Sequence, residues 1–271
     1  MVSIKKRMIT ALLVFCMVLP IFVVKAQAKH NDYSADDLFG VIDGIVKWKK
    51  SSEKASGYLL NDNFLSLAGT PSGDWYPIGL GRFGMEDDFV SYQAVIKNTV
   101  VQRYKTKEKL DLQKSTEWHR ISLAVLATGG DPTNMGKAAD KSTINLIADG
   151  VYNRGETVPL GSQGINGYIW GLIALDSMRY KVPADAATQR DAIITEILKW
   201  QSPDGGFSMD GTGSDPDITG MAIQALAPYY NSEQVYTYKT KSGKECSSTV
   251  RQMVDAAIAK LSALQTNDGE F

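Results

Sequence analysis

The sequence has few of the residues on which metal sites and crosslinked frameworks depend. Its 271 residues include two cysteines and two histidines. Cys16 lies in an apolar N-terminal run, which leaves Cys246 as the one cysteine in the rest of the chain. A single cysteine cannot form an internal disulfide framework, and a zinc site needs more cysteine and histidine ligands than this. We therefore predict no metal site and no bound cofactor.

A block of basic residues is also missing. Lysine and arginine number 29 against 30 aspartates and glutamates, which gives a formal net charge of −1. Proteins that bind nucleic acid usually carry a clustered excess of positive charge. The sequence therefore predicts no nucleic-acid partner.

The N-terminus has the three parts of a secretory signal peptide. Lys5, Lys6 and Arg7 precede an apolar run over 9–24, and Ala26-Gln27-Ala28 forms a small-x-small cleavage site. The run is shorter than the roughly 20 apolar residues of a membrane span. We expect a signal peptide at 1–28 that is cleaved near Ala28, with the mature chain at 29–271 secreted or held at the cell surface. The alternative is an uncleaved membrane anchor.

Strand-like alternation of polar and apolar residues is nearly absent after the signal peptide, and helical spacing dominates. The pattern predicts an all-α fold. Predicted helices cover 36–50, 75–83, 88–108, 116–128, 138–150, 166–178, 187–200, 217–229 and 248–265. The lysine-rich segment 231–247 is predicted to be a surface insertion.

Every second predicted helix aligns with the next when one apolar position is placed in a column. This column contains Phe83, Leu126, Leu175 and Leu226, separated by 43, 49 and 51 residues. Four positions earlier stand small residues, namely Gly79, Ser122, Gly171 and Ala222. Nine positions earlier stand polar residues, namely Asp74, Glu117, Asn166 and Asp217. Such a period predicts stacked helical hairpins of about 50 residues that form a solenoid or a ring.

A turn motif recurs between helices. Residues 201–207 read Gln-Ser-Pro-Asp-Gly-Gly-Phe, and residues 265–271 read Gln-Thr-Asn-Asp-Gly-Glu-Phe. Glycine after aspartate favours a tight reversal at the end of a helix. Asp217 or Thr219 is then predicted to cap the helix that follows the first motif.

These motifs resemble the α/α-toroid superfamily. The segment from Gln201 to Phe207 is similar to the glutamine–aromatic repeat of squalene–hopene and other triterpene cyclases. Protein prenyltransferase β subunits, complement thioester domains and the cobalamin carriers intrinsic factor and transcobalamin share that toroid. Residues 217–222 are similar to a helix start in the cobalamin carriers. Over about 35–271, with motifs at 73–77, 117–121 and 215–219, the chain most resembles secreted bacterial proteins with prenyltransferase/squalene-oxidase repeats.

The resemblance implies an α/α toroid that is incomplete at the C-terminus. The ring of the family contains more inner helices than the four that can be aligned here. It also implies that further domains follow Phe271. An open arc of helix pairs should expose apolar surface on its first and last pairs.

The resemblance also raises the possibility of catalysis. Squalene–hopene cyclases protonate an alkene with the middle acid of an Asp-x-Asp-Asp motif, and here Asp215-Pro-Asp217-Ile218 lacks the third acid. Asp217 would be the general acid and Asp215 its neighbour in a terpene cyclase-like enzyme. The competing interpretation is that Asp217 caps its helix. Gln201 and Gln265 are expected to be structural. The prenyltransferase zinc ligands and the thioester motif are absent from the sequence.

Aromatic residues accompany the polar column and suggest a binding site. We predict that Asp74, Glu117 and Asn166 contact a ligand at one mouth of the ring, together with Trp75, Trp118, Tyr168 and Trp170. The favoured function is a ligand-binding module without catalysis. The candidate ligands are a corrinoid-like or isoprenoid-like small molecule, a glycan and a peptide. The alternatives are the cyclase-like enzyme and a passive surface scaffold.

Overall fold

The structure, a computed structural model, describes residues 34–107, 109–154, 158–267 and 269–271. These residues are mostly helical and include one two-stranded sheet. The predicted signal peptide at 1–28 lies outside them. None of the described helices has both the length and the apolar composition that a membrane span requires.

Most predicted helices are found, with boundaries that differ by a few residues. In chain order the α-helices are α1 Ala35–Ser52, α2 Asp62–Leu65, α3 Pro71–Arg82, α4 Phe89–Arg103, α5 Ser115–Ala127, α6 Ile165–Asp176, α7 Arg190–Leu198, α8 Pro216–Leu226 and α9 Val250–Leu264. Short 3₁₀ turns lie at Leu160–Gln163 and Ala227–Tyr229, and a π-helical turn lies at Ala148–Tyr152. The strands are β1 Val235–Lys239 and β2 Glu245–Thr249.

The helices that carry the aligned columns pack against one another in series. α3 packs on α5, α5 on α6 and α6 on α8, while α7 packs on α6 and α9 on α8. Glycine allows the first of these approaches, because a Cβ atom at Gly81 would collide with the carbonyl group of Ala127. The first turns of α5 and α6 also lie close together, because a Cβ atom at Gly167 would be 3.1 Å from Ser115 Oγ.

The buried apolar residues form two clusters. The N-terminal cluster lies between Val46 and Leu146 and is centred on α4 and α5. The C-terminal cluster lies between Ile147 and Ala257 and includes α6, α7 and α8. The boundary between the clusters follows the packing of α5 on α6.

The predicted helix at 138–150 is wrong. A bridge pairs Lys137 with Thr143, and the chain reverses through Lys141, which has a positive φ. The Asp140 carboxylate accepts hydrogen bonds from the Ser142 amide and hydroxyl groups. Aspartate side chains of this kind compete with helical backbone bonds, so the segment forms a turn and becomes helical only from Leu146 onward, into the π-helical turn Ala148–Tyr152.

The segment 231–247, predicted to be a surface insertion, lies mostly at the surface but forms a β-hairpin. β1 and β2 pair antiparallel, with Tyr238 opposite Cys246. Tyr236 and Tyr238 are buried against the C-terminal cluster, while the residues between and beside them are exposed. The hairpin therefore adds an amphipathic face to the core, which an all-α prediction does not allow.

Candidate functional site

The N-terminal ends of α3, α5 and α6 surround a pocket of about 240 Å³. Each helix contributes from its first turn or the turn after it, and the 3₁₀ turn before α6 closes one side. The pocket is lined by Pro71, Trp75, Thr116, Arg120, Gln163, Asn166 and Trp170. Three residues of the predicted ligand set, Trp75, Asn166 and Trp170, are thus brought to one place.

Two tryptophans form the aromatic part of this pocket. The rings of Trp75 and Trp170 meet edge to face, with centroids 5.5 Å apart and planes at 61°. Trp75 remains 46 % exposed, whereas Trp170 is packed partly against the C-terminal cluster. One aromatic ring is therefore held by its neighbour while much of its surface stays open to a ligand.

A buried ion pair forms the floor of the pocket. The Asp74 carboxylate accepts from Arg120 Nε at 2.8 Å, from the Tyr92 hydroxyl at 2.7 Å and from the Gly69 amide at 2.8 Å. Arg120 also donates to the Gly69 carbonyl at 3.0 Å. Burial, and then the negative charge of Asp74, raise the pKa of Tyr92, so its hydroxyl stays a donor. Asp74 is fully buried and reaches a ligand only through Arg120.

Glu117 belongs to the same polar network rather than to the pocket lining. Its two carboxylate oxygens accept from Arg103 at 2.7 and 3.2 Å, and its nearest approach to Arg120 is 3.8 Å. Two arginines thus face two carboxylates across α3, α4 and α5. The charges beneath the pocket are balanced, which disfavours recognition by net charge alone.

The side-chain amide groups of Gln163 and Asn166 form a polar wall of the pocket. Gln163 Oε1 accepts from the Thr116 amide at 3.1 Å and from the Thr116 hydroxyl at 3.0 Å, which ties the turn before α6 to α5. The Asn166 Oδ1 atom is buried and has no hydrogen-bond partner among the described residues. Because an unpartnered buried acceptor costs free energy, a donor on a bound ligand would stabilise this position.

Trp118 and Tyr168 do not reach this pocket. Trp118 is buried and donates from Nε1 to the Tyr104 hydroxyl at 2.8 Å. The Arg154 guanidinium group lies over the indole, with its carbon 4.5 Å from the ring centroid. Tyr168 packs against the 3₁₀ turn, where a side chain at Gly161 would collide with it. Neither residue lines the pocket, so the structure does not bring them together there with Trp75, Asn166 and Trp170.

His119, next to Trp118, is also a packed residue. Its Nε2 atom lies 2.8 Å from the Gly150 carbonyl, which fixes a proton on that nitrogen. Burial lowers the pKa of His119 to about 3, so the ring is neutral at physiological pH. Nδ1 has no partner among the described residues.

The two acids of the cyclase-like motif lie at the start of α8. Asp215, and not Asp217 or Thr219, is the N-cap, since its carboxylate accepts from the Ile218 amide at 2.9 Å and Pro216 occupies the first helical position. Asp217 is exposed on the first turn. Thr219 is buried and exchanges hydrogen bonds with the Phe207 backbone at 2.9 and 3.1 Å.

The glutamine motifs have a common structural role. Gln201 Nε2 donates to the Gly205 carbonyl at 2.7 Å and to the Met253 carbonyl on α9 at 3.0 Å. Gln265 Nε2 donates to the Gly269 carbonyl at 3.0 Å. In both motifs the side-chain amide closes the turn that follows a helix, α7 for Gln201 and α9 for Gln265, and neither glutamine lies at the pocket.

Sequence reasoning missed four of the lining residues, Pro71, Thr116, Arg120 and Gln163. A signal for Arg120 was present, because it lies three residues after Glu117 on the same helical face and interrupts an otherwise apolar stretch. No such signal exists for Gln163, which reaches the pocket through a 3₁₀ turn.

Among the described residues, no group of three or more histidine, cysteine, aspartate or glutamate side chains is arranged to hold a metal ion. Comparison with known protein families, with curated proteins and with solved structures found no match to this chain.

Proposed function

We propose that this chain is a secreted or cell-surface ligand-binding module of the α/α-toroid type, without catalysis of its own. The serial packing of α3, α5, α6 and α8, with α7 packed on α6 and α9 on α8, supports a ring of helical hairpins. The observation that carries the binding function is the pocket at the ends of α3, α5 and α6. An open tryptophan stands there beside an unsatisfied amide acceptor.

The chemistry of this pocket favours a glycan over the other candidate ligands. Its charges are paired with one another, its aromatic face is open, and its free polar groups are amides. A sugar ring offers an apolar face for stacking on Trp75 and hydroxyl groups for Asn166 and Gln163. A volume of about 240 Å³ suits one such ring and is too small to enclose a corrinoid.

The cyclase-like alternative gains little support from Asp217. Protonation of an alkene needs a carboxylic acid kept neutral in an apolar enclosure. Asp217 is exposed and Asp215 is engaged as a helix cap. The third candidate, a passive scaffold, gives no functional reason for the buried Asn166 Oδ1 atom, which has no hydrogen-bond partner among the described residues.

Titration calorimetry with a panel of neutral oligosaccharides tests the proposal. We expect one class to bind, and Trp75→Ala to weaken its binding about tenfold or more, which corresponds to about 1.4 kcal/mol. Tyr58→Ala is a matched control, because Tyr58 is another exposed aromatic residue outside this pocket.

Binding that survives both Trp75→Ala and Asn166→Ala would place the ligand elsewhere. Formation of a cyclic product from squalene that is lost in Asp217→Asn would replace this proposal with the enzymatic one.

A further inference from the structure

A second pocket, of about 320 Å³, lies where the segment after α4 meets α5 and the π-helical turn. This basic pocket is lined by Trp118 and by charged and apolar residues that include Lys107, Lys109, Leu112, Asp149, Arg154 and Val158. Trp118 comes two residues after Thr116 and two before Arg120, which puts it on the opposite face of α5 from the first pocket. The two pockets share no lining residue.

Positive charge predominates in the lining of the basic pocket. Three cations, Lys107, Lys109 and Arg154, accompany one carboxylate, Asp149. That carboxylate is already engaged, because it accepts from the Tyr104 hydroxyl at 2.9 Å and lies 3.5 Å from Lys109 Nζ. Among the described lining residues, two positive charges therefore remain in excess, on Lys107 and Arg154.

The hydroxyl of Tyr104 fixes the position of Asp149. It accepts from Trp118 Nε1 at 2.8 Å and donates to the Asp149 carboxylate. Burial, and then the negative charge of Asp149, raise the pKa of Tyr104, so the hydroxyl stays protonated. Asp149 is thus bonded to the wall of the pocket and directed to Tyr104 and Lys109.

Arg154 is held in place without a full set of partners. Its guanidinium carbon lies 4.5 Å from the Trp118 ring centroid, and Nη2 donates to the Leu112 carbonyl at 2.7 Å. Nε is buried and has no hydrogen-bond partner among the described residues. A guanidinium group that is fixed, partly desolvated and incompletely bonded is stabilised by an anion placed beside it.

The nearest acid outside the lining does not supply that anion. The Asp111 carboxylate accepts from the backbone amides of Gln113 and Lys114 at 2.9 and 3.1 Å. Burial lowers the pKa of Arg154, and the attraction of Asp111 offsets this effect only in part. The desolvation of Arg154 is therefore not fully compensated within the described part of the chain.

We propose that the basic pocket binds a phosphate or sulfate group, with Arg154 and Lys107 as the groups that recognise it. A doubly charged anion matches the excess of two positive charges, and its tetrahedral oxygens can accept from a guanidinium and an ammonium group at once. Leu112 and Val158 provide an apolar rim for the body of a small molecule that carries the group. This site is independent of the glycan pocket.

The indole N–H signal of Trp118 in a nuclear magnetic resonance titration reports on this site directly. The chain has five tryptophans, and Trp118→Phe identifies the signal. Inorganic phosphate, added against sodium chloride at equal ionic strength, should shift the Trp118 signal saturably. The signals of Trp75 and Trp170, which line the other pocket, should not follow it.

Variants at the two cations test which groups bind the anion. Lys107→Gln and Arg154→Gln should each weaken phosphate binding about tenfold, because each loses one charge-assisted contact. The matched controls are Lys97→Gln and Arg179→Gln, which remove the same charges at exposed positions outside the pocket and should leave the affinity unchanged. Arg154→Lys keeps the charge and should bind more tightly than Arg154→Gln.

Phenyl phosphate distinguishes the source of the group. Tighter binding than that of inorganic phosphate assigns the site to an ester whose body packs on Leu112 and Val158, and equal affinity assigns it to the free anion. Three results would overturn the proposal: no saturable shift of Trp118, acetate that binds as tightly as phosphate, or unchanged affinity in both Lys107→Gln and Arg154→Gln. Circular dichroism checks the fold of each variant, and the exposed Lys107 keeps the test valid if Arg154→Gln unfolds. Neutral oligosaccharides are titrated separately, so either proposal can fail while the other stands.

Discussion

Asp74 illustrates how one carboxylate can organise a site without touching a ligand. Its three hydrogen bonds join the loop before α3, the first turn of α4 and the first two turns of α5. A buried charge is stable only when it is paired and fully bonded, so Arg120 cannot rotate freely into the pocket. We infer that Arg120 is a rigid wall of the pocket rather than a mobile anion-binding arm.

His119 should make the stability of the protein depend on pH. Its pKa is lowered by burial to about 3, while that of an unfolded histidine is about 6.5. Between these values the unfolded state binds a proton that the folded state does not, so stability is complete above pH 6.5 and falls as the pH decreases. From pH 7 to pH 5 this residue should cost about 2 kcal/mol of unfolding free energy.

Urea denaturation at pH 7 and pH 5 measures that loss. In His119→Gln, whose side-chain amide can still donate to the Gly150 carbonyl, the part of the pH dependence due to this residue should disappear. Equal pH dependence in the variant and the wild type would mean that His119 is already protonated in the fold.

At the scale of elements, the start of α8 gives the next prediction. Asp215→Ala should destabilise the protein by about 1 kcal/mol, because the Ile218 amide loses its cap. Asp215→Asn should retain most of the stability, since asparagine caps a helix about as well. Asp217→Ala, at an exposed position two residues later, is the matched control and should change thermal stability little. A larger loss at Asp217 than at Asp215 would reverse the assignment of the cap.

An element could be predicted from the sequence where the apolar residues of its packed face recur at regular spacing. α5 and α6 are apolar at helical spacing on the face that packs, so they were found within about two residues. The pocket was predicted only in part, because Asn166 stands in the polar column and Trp75 and Trp170 lie within four residues of that column on aligned helices, whereas Gln163 lies on no aligned helix. Trp118 was misplaced because an offset along a helix does not specify which neighbour the side chain faces.

The β-hairpin was missed for a different reason. Its alternation is short and carried by Tyr236 and Tyr238 among lysines, threonines and a serine-rich partner strand, a composition also typical of loops. Tertiary contacts stabilise the hairpin. The hydroxyl of Tyr238 lies 3.1 Å from Met253 Sδ on α9, and both tyrosines cover the C-terminal cluster. Such contacts between distant segments leave no local pattern.

At the scale of the whole molecule, the two apolar clusters predict two regions of separable stability. Ile96→Ala removes buried side-chain volume from the N-terminal cluster and Ile197→Ala from the C-terminal one, each at a cost of about 2–5 kcal/mol. Hydrogen exchange should accelerate mainly in α4 and α5 for the first variant and in α7 and α8 for the second.

Val90→Ala, at an exposed position of α4, serves as the control and should leave both regions protected. If either core variant accelerates exchange equally throughout the described residues, the clusters unfold as one cooperative unit.

The hydrogen bond from Gln201 to the carbonyl of Met253 has a consequence for how the sequence of the chain can diverge. The glutamine recognises an atom that all twenty amino acids carry, so the bond survives a change of side chain on the partner helix. A pair of contacting side chains must instead change together to keep its contact. The side chains of α9 can therefore change, and present a different surface, while its hydrogen bond to the Gln201 turn remains the same.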